Sequence, residues 1–266
     1  MRNVEGAVIK NDNDPLSKAI TGNAMFLSEE EWDRLYGKYW SRSVELNFLL
    51  ERIAELRAEL IRWEHALLRK VGEEMVKVYV AAGHSQTTDI ESRLYEWEKC
   101  MVAEEACASL LRASGVEVIQ PTEQMRTMDN NFALRAKADQ CNEEGCVLAV
   151  ELHLNAGGGN YATSLYWDNV ERGLSSEGGE DLSRHIALIF DAALDWPVRY
   201  GPQSEYKRTL WFLEKTSCPS SILEPAFKDF ESHKRWIDSP NGMVSYGAMT
   251  YLGILNYLRE EKDAVA

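Results

Sequence analysis

The chain has 266 residues, of which 45% are apolar and 27% are charged. This composition is typical of a folded globular protein and excludes a disordered or fibrous chain, and the length fits one sizeable α/β domain with an additional segment. The formal charge of −14 argues against broad electrostatic attraction to nucleic acid or to an anionic membrane surface. We therefore expect no nucleic-acid partner.

Targeting signals and cysteines bear on where the protein works. No apolar run approaches the roughly 20 residues needed to cross a bilayer, so no membrane span is expected. Residues 1–18 lack the apolar core of a secretory signal, which predicts that the protein is cytoplasmic on synthesis. The five cysteines are odd in number, and this pattern favours reduced thiols over a disulfide framework.

The amino-terminal part divides into a leader and a helical segment. Residues 1–27 are rich in Asn, Asp and Gly and show no period, which predicts a loosely structured leader. A capping box at Ser28 and Glu31 begins a helix, and apolar residues then alternate at spacings of three and four from Leu46 to Leu67. The segment 28–72 is therefore either a coiled coil that forms a homo-oligomer or an amphipathic helix packed on the domain that follows.

Strands and helices alternate from residue 77 onward. Runs rich in β-branched and apolar residues predict strands, and apolar residues at helical spacing predict helices. The strands are expected at 77–82, 116–120, 147–153, 209–214 and 220–224, and the helices at 96–113, 131–142, 179–194 and 241–259. This alternation predicts an α/β fold, with a mostly parallel mixed sheet and helices on both faces.

Two histidines and several glutamates lie at positions where a catalytic metal site is expected. His84 and His153 each follow a strand, and active sites gather at such strand ends. A catalytic zinc site of the His₂Glu type needs a carboxylate as well, and Glu98, near the start of the next helix, is the first candidate, with Glu96 as the alternative. Glu224 ends a short strand before a proline, and it is either a salt-bridged structural residue or a desolvated general base.

These residues occur in motifs that resemble the zinc-dependent N-acetylmuramoyl-L-alanine amidases of the type 3 family. The resemblance covers residues 77–259, and the order and approximate spacing of the motifs match. They are Gly83-His84, Glu98-Lys99, Arg135, His153-Leu154-Asn155-Ala156 and Leu223-Glu224-Pro225-Ala226-Phe227. The loop Ala81-Ala82-Gly83-His84-Ser85-Gln86 is less rich in glycine than the Asp-Pro-Gly-His-Gly-Gly of the family.

The resemblance implies a site and a function. His84, Glu98 and His153 would bind Zn²⁺, Glu224 would be the catalytic residue, and Asn155 and Arg135 would lie near the substrate, although for Arg135 we favour a structural ion pair. The implied activity is hydrolysis of the amide between N-acetylmuramic acid and L-alanine in peptidoglycan, as in cell-wall lysis by a phage endolysin. The alternatives are a zinc hydrolase of a non-wall amide and an interaction protein with an inert amidase-like domain.

Overall fold

The computed structural model describes residues 76–88, 90–206 and 210–265. The chain divides into two units, Met1–Trp63 and Glu64–Ala266, and all the described residues belong to the second. The predicted leader at 1–27 and the predicted helical segment at 28–72, with its homo-oligomer, lie outside the described residues. Within the described part of the chain, no helix is both long enough and apolar enough to cross a membrane.

A six-stranded mixed sheet forms the centre of the fold. In chain order the strands are β1 (Lys77–Ala82), β2 (Glu117–Ile119), β3 (Leu148–Leu152), β4 (Ala162–Tyr166), β5 (Asp168–Asn169), β6 (Leu174–Ser175), β7 (Val198–Pro202) and β8 (Ser220–Glu224). The sheet has the order β2-β1-β3-β8-β4-β7, and β5 pairs with β6 in a separate hairpin. Strands β2, β1, β3 and β8 are parallel, whereas β4 and β7 run in the opposite direction.

Seven α-helices and two short 3₁₀ helices, Val170–Arg172 and Gln203–Tyr206, connect or cover the strands in the described residues. The α-helices are α1 (Glu91–Ala113), α2 (Glu123–Arg126), α3 (Asn130–Glu143), α4 (Glu177–Ala193), α5 (Trp211–Lys215), α6 (Glu231–Ile237) and α7 (Gly242–Val265). Several begin at side-chain caps. The Ser176 hydroxyl, for example, accepts a hydrogen bond from the Gly179 amide at the start of α4, as expected for a helix N-cap.

The two faces of the sheet carry separate apolar cores, because side chains of a strand alternate between its faces. Val78 and Val80 of β1 point into the larger core, which α1, α4 and α7 complete. Tyr79 and Ala81 point to the other face, where α3 and α5 cover the sheet. Helices therefore lie on both faces of a mostly parallel mixed sheet, and the predicted fold class is confirmed.

Some predicted elements need correction. The apolar run predicted as a strand at 209–214 contains helix α5, in which Phe212 and Leu213 are buried; periodicity alone does not separate a strand from a helix in so short a run. Helix α1 begins at Glu91, five residues before its predicted start. Strands β4 and β7 were not predicted at all.

Candidate active site

Three parallel neighbouring strands end at one edge of the sheet, and each ends in a residue of the predicted site. Strand β1 pairs with β3 up to Ala82 and Leu152, and β3 pairs with β8 up to Leu152 and Leu223, so the strand ends are level. His84 follows β1 after one glycine, His153 directly follows β3, and Glu224 is the last residue of β8. The strand-end arrangement that the sequence predicts thus brings these three residues to one sheet edge.

His84, His153 and Glu96 form a cluster at this edge. Nδ1 of His153 lies 2.8 Å from Oε1 of Glu96, and Nε2 of His84 lies 3.4 Å from the same oxygen. The two imidazole rings meet edge to face with their centroids 5.0 Å apart. One ligand atom from each residue lies within 4.8 Å of the other two, a spacing at which all three atoms can bind one metal ion.

The carboxylate in this cluster belongs to Glu96 and not to Glu98. Helix α1 buries a stripe that runs through Glu96, Cys100 and Ala103 against the sheet. Residues two apart are separated by a rotation of about 200° around the helix axis and so lie on opposite faces. Glu98 therefore faces outward and is exposed. The expectation that Glu98 faces the sheet edge is corrected. The alternative residue, Glu96, provides the carboxylate of the cluster.

The ring nitrogens that point away from the cluster also have polar partners. Nδ1 of His84 lies 3.1 Å from the side-chain oxygen of Asn130, and Nε2 of His153 lies 3.1 Å from Oε2 of Glu151. If these two outer nitrogens keep their protons when a metal replaces the protons facing Glu96, Nε2 of His84 and Nδ1 of His153 present lone pairs to the metal. Metal-binding histidines are commonly held in this way by an oxygen acceptor on the outer nitrogen, so the donor set fits a divalent cation such as zinc.

Glu96 itself is held at both oxygens. Oε1, the atom beside the histidines, also accepts a hydrogen bond from the backbone amide of Leu154 at 3.0 Å. Oε2 lies 2.5 Å from the ammonium of Lys228, in the segment after β8. The two oxygens of this carboxylate therefore have different neighbours.

The turn that joins β1 to His84 depends on a glycine at position 83 and on the buried side chain of Lys137. A β-carbon at Gly83 would lie only 2.3–2.5 Å from atoms of the His153 ring, so this position has no room for a side chain. His84 has a positive φ of 63°, which costs energy in a residue other than glycine. The Lys137 ammonium donates to the carbonyl oxygens of Ala82 and His84 at 2.5 and 2.7 Å and so stabilises this turn.

Lys137 also forms a buried ion pair with Glu151, whose other oxygen contacts His153. Its ammonium lies 3.1 Å from Glu151 Oε1, and both side chains are almost fully buried. Burial opposes ionisation of Glu151, but the positive charges of Lys137 and His153 outweigh it and lower the pKa of Glu151 to about 2. Glu151 is thus a carboxylate behind the imidazole of His153.

The carboxylates of the cluster favour positive charge on His153 but not on His84. Burial lowers the pKa of His84 and so favours its neutral form. Burial also opposes a charge on His153, but the carboxylates of Glu151 and Glu96 overcome it and raise the pKa of His153 to about 10. Hydrogen bonds from the two histidines hold the pKa of Glu96 well below its usual range against the effect of its burial. A cation that binds here would replace the proton on His153.

Glu224 and Asn155 complete the sheet edge. Glu224 is 7% exposed and lies opposite Thr163 of the antiparallel strand β4. The backbone of Asn155 pairs with that of Phe227 and accepts a hydrogen bond from the Lys228 amide. The structure therefore holds Asn155 next to the segment that follows Glu224.

The glycine-rich loop after Asn155 is connected to the same segment. Asp229 accepts hydrogen bonds from the amides of Gly157 and Gly158 at 2.7 and 3.1 Å, and both glycines have positive φ. A side chain at Gly159 would overlap the ring of Phe227. The loop thus packs against the segment that follows β8.

Arg135 has a different neighbourhood. Its guanidinium lies over the ring of Trp211, 4.3 Å from the centroid, where α3 packs against α5. The contact that the structure shows is a cation–π interaction in place of the favoured ion pair, and it supports a structural role for Arg135.

Several residues that support the cluster were missed by reasoning from the sequence. Glu151 carried a signal, because a carboxylate inside an otherwise apolar strand and two residues before His153 must lie on the same face as that histidine. Lys137, Lys228 and Asn130 carried none, since they are distant in sequence and meet the cluster only in the folded chain.

Solved structures with similar folds bear on what this arrangement does. No protein-family model matches the chain, and no curated protein matches it by sequence. The N-acetylmuramoyl-L-alanine amidase from Clostridium difficile 630 is 18% identical and superposes with a TM-score of 0.57 over 70% of this chain and 97% of its own. The amidase of Nostoc punctiforme is 17% identical, with a TM-score of 0.56 over 71% and 99% of the two chains.

A third similar structure is the catalytic domain of an endolysin targeting Clostridia Difficile. It is 21% identical and superposes with a TM-score of 0.54 over 68% of this chain and 97% of its own. The described chain has the fold of an amidase catalytic domain. The resemblance drawn from the motifs is thereby confirmed at the level of the fold.

Proposed function

We propose that this protein is a zinc-dependent amidase that hydrolyses the bond between N-acetylmuramic acid and L-alanine in peptidoglycan. The observation that carries the proposal is the cluster of His84, Glu96 and His153 at the sheet edge where three parallel strands end, the last of them in the buried Glu224. The amidase fold supports the same conclusion. Two histidines and one carboxylate form a common ligand set of catalytic zinc sites, which keep a fourth position for water.

Each residue then has a defined role. His84, Glu96 and His153 would hold the metal, which when bound would supply an activated water and polarise the carbonyl group. Glu224 would act as the general base and acid, taking a proton from the attacking water and delivering it to the amine nitrogen of L-alanine as the C–N bond breaks. A new C–O bond forms at the lactyl carbonyl, so the products are a carboxylate on the muramic acid and a free amino terminus on L-alanine.

Positioning of these groups comes from the residues behind them. Asn130 and Glu151 hold the two imidazole rings in the required orientation, and Lys137 holds the turn that carries His84. Because buried polar groups with all partners in place are rigid, the ligand atoms are arranged before a metal arrives. Such preorganisation is what a catalytic metal site requires.

The test combines product analysis with a matched variant. Purified peptidoglycan is incubated with the wild-type protein and with Glu224→Gln, and new amino-terminal L-alanine is measured together with the metal content of each protein. We expect release by the wild type, loss of release in the variant, and about one zinc per chain in both. A wild-type protein that holds zinc but releases no L-alanine amino termini would exclude the wall amide and leave a hydrolase of another amide.

A role in lysis follows from the same proposal. One of the structures with this fold is the catalytic domain of an endolysin, and we propose cell-wall lysis of that kind for this chain. Expression of the protein together with a separate pore-forming protein is expected to lyse cells, whereas Glu224→Gln under the same conditions is not.

A further inference from the structure

Lys228 is a partly buried cation that contacts a ligand of the proposed metal site. Its side chain is 12% exposed, and its ammonium lies 2.5 Å from Oε2 of Glu96 and 3.1 Å from the backbone oxygen of Ser92. The neighbouring Lys137 already has Glu151 as its counter-ion. The positive charge of Lys228 is therefore directed at Glu96.

The segment that carries Lys228 is held in place by its own hydrogen bonds. The Lys228 amide donates to the Asn155 carbonyl at 2.9 Å, and the Phe227 amide donates to Nδ1 of the buried His233 at 2.9 Å. Phe227 also packs edge to face against Tyr161. Because the amides of Phe227 and Lys228 are both hydrogen-bonded, the ammonium of Lys228 reaches Glu96 from a defined position.

The two oxygens of Glu96 are divided between two kinds of partner. Oε1 faces the ligand nitrogens of His84 and His153 at 3.4 and 2.8 Å, whereas Oε2 is bound by Lys228. A carboxylate free to rotate can offer one or both oxygens to a cation. With Oε2 taken by an ammonium, only Oε1 remains for a metal.

We propose that Lys228 is a positioning residue that restricts Glu96 to coordination through one oxygen and so keeps a position on the metal open for water. This inference rests on the proposed zinc site. A positive charge beside a cation lowers the affinity of the site for that cation, so removal of the Lys228 charge should strengthen metal binding. An ion pair that only connected α1 to the segment after β8 would have the opposite signature, with weaker metal binding when it is removed.

The experiment compares Lys228→Met, Lys228→Arg and the wild type after loading with Co²⁺, whose visible absorption bands are intense when it is four-coordinate and weaker when it is five-coordinate. For Lys228→Met we expect the weaker, five-coordinate spectrum, metal affinity tighter than that of the wild type, and kcat for release of L-alanine amino termini lower by about 10- to 100-fold. Lys228→Arg keeps the charge and the donors and is expected to restore the four-coordinate spectrum.

Two controls separate this effect from a loss of folding. Lys234→Met removes an exposed lysine that pairs with Asp238, and its cobalt spectrum and kcat should equal those of the wild type. Thermal unfolding of the metal-free proteins reports whether Lys228→Met folds. If it does not, the same comparison is made between Lys228→Arg and Lys228→Gln, which is neutral.

The outcomes are distinct. A wild type that binds no metal would overturn the zinc site and this inference together. A wild type that binds metal, with a Lys228→Met spectrum and kcat that are unchanged, would overturn only the role of Lys228. Weaker metal binding in Lys228→Met with a four-coordinate spectrum would show that the ion pair is structural. That result would also overturn the role of Lys228 as a positioning residue.

Discussion

Replacing Gly83 by alanine should disable the proposed site while leaving the fold intact. The new β-carbon would lie 2.3 Å from the nearest atom of the His153 ring, whereas ordinary carbon contacts begin at 3.4 Å. The imidazole must therefore move by about 1 Å, and a misplacement of this size costs about 100-fold in rate. Overpacking of this kind lowers the free energy of unfolding by about 1–3 kcal/mol.

The assay measures kcat/KM for release of L-alanine amino termini, zinc affinity by competition with a chelator, and the free energy of unfolding in urea. Ser85→Ala is a matched control in the same loop, because the buried Ser85 hydroxyl has no hydrogen-bond partner among the residues that the structure describes and its removal should cost little. If Gly83→Ala kept both its zinc affinity and its activity within twofold of the wild type, the close approach of Gly83 to His153 would not limit the site.

Three further predictions follow from other contacts. Glu96→Gln should lose zinc, whereas Glu98→Gln, at an exposed position, should keep about one zinc per chain; equal zinc contents would contradict the assignment of Glu96. Lys137→Met removes the ammonium partner of the buried Glu151 and should lower the free energy of unfolding by about 3–5 kcal/mol, and urea denaturation with no measurable loss would refute this. Burial lowers the pKa of His233 below its ordinary value of 6.5, so as the pH falls the unfolded chain binds a proton at this histidine before the folded chain does. The free energy of unfolding is therefore unaffected by His233 above pH 6.5 and decreases as the pH falls below that value. Urea denaturation between pH 7.5 and about pH 5 should therefore show a weaker pH dependence for His233→Asn than for the wild type, and identical slopes would count against it.

The choice between Glu96 and Glu98 shows how far a sequence pattern carries a site prediction. A motif match placed the carboxylate at Glu98, but the phase of helix α1 decides which side faces the sheet. That phase was present in the sequence, because Cys100, Ala103 and Cys107 follow Glu96 at spacings of four, three and four, which is the period of one helix face. The alternative that the residues left open was the one consistent with helix periodicity.

The elements that were not predicted correctly from the sequence share a physical explanation. Strands β4 and β7 lie at the antiparallel side of the sheet, and their residues include polar and glycine positions that resemble loops. Helix α5 was predicted as a strand because its apolar run is too short for periodicity to separate the two. In both cases packing against the sheet, and not local propensity, sets the secondary structure.

By itself the sequence determined the fold class and the strand-end positions of His84, His153 and Glu224, because a buried strand followed by a polar residue is a local pattern. The tertiary structure alone decided which groups meet at that edge. Lys137 and Lys228 reach the cluster from segments far away in the chain, and contacts of this kind depend on how helices pack on the sheet. The chemistry of the site is thus encoded locally, whereas its geometry and electrostatics arise only on folding.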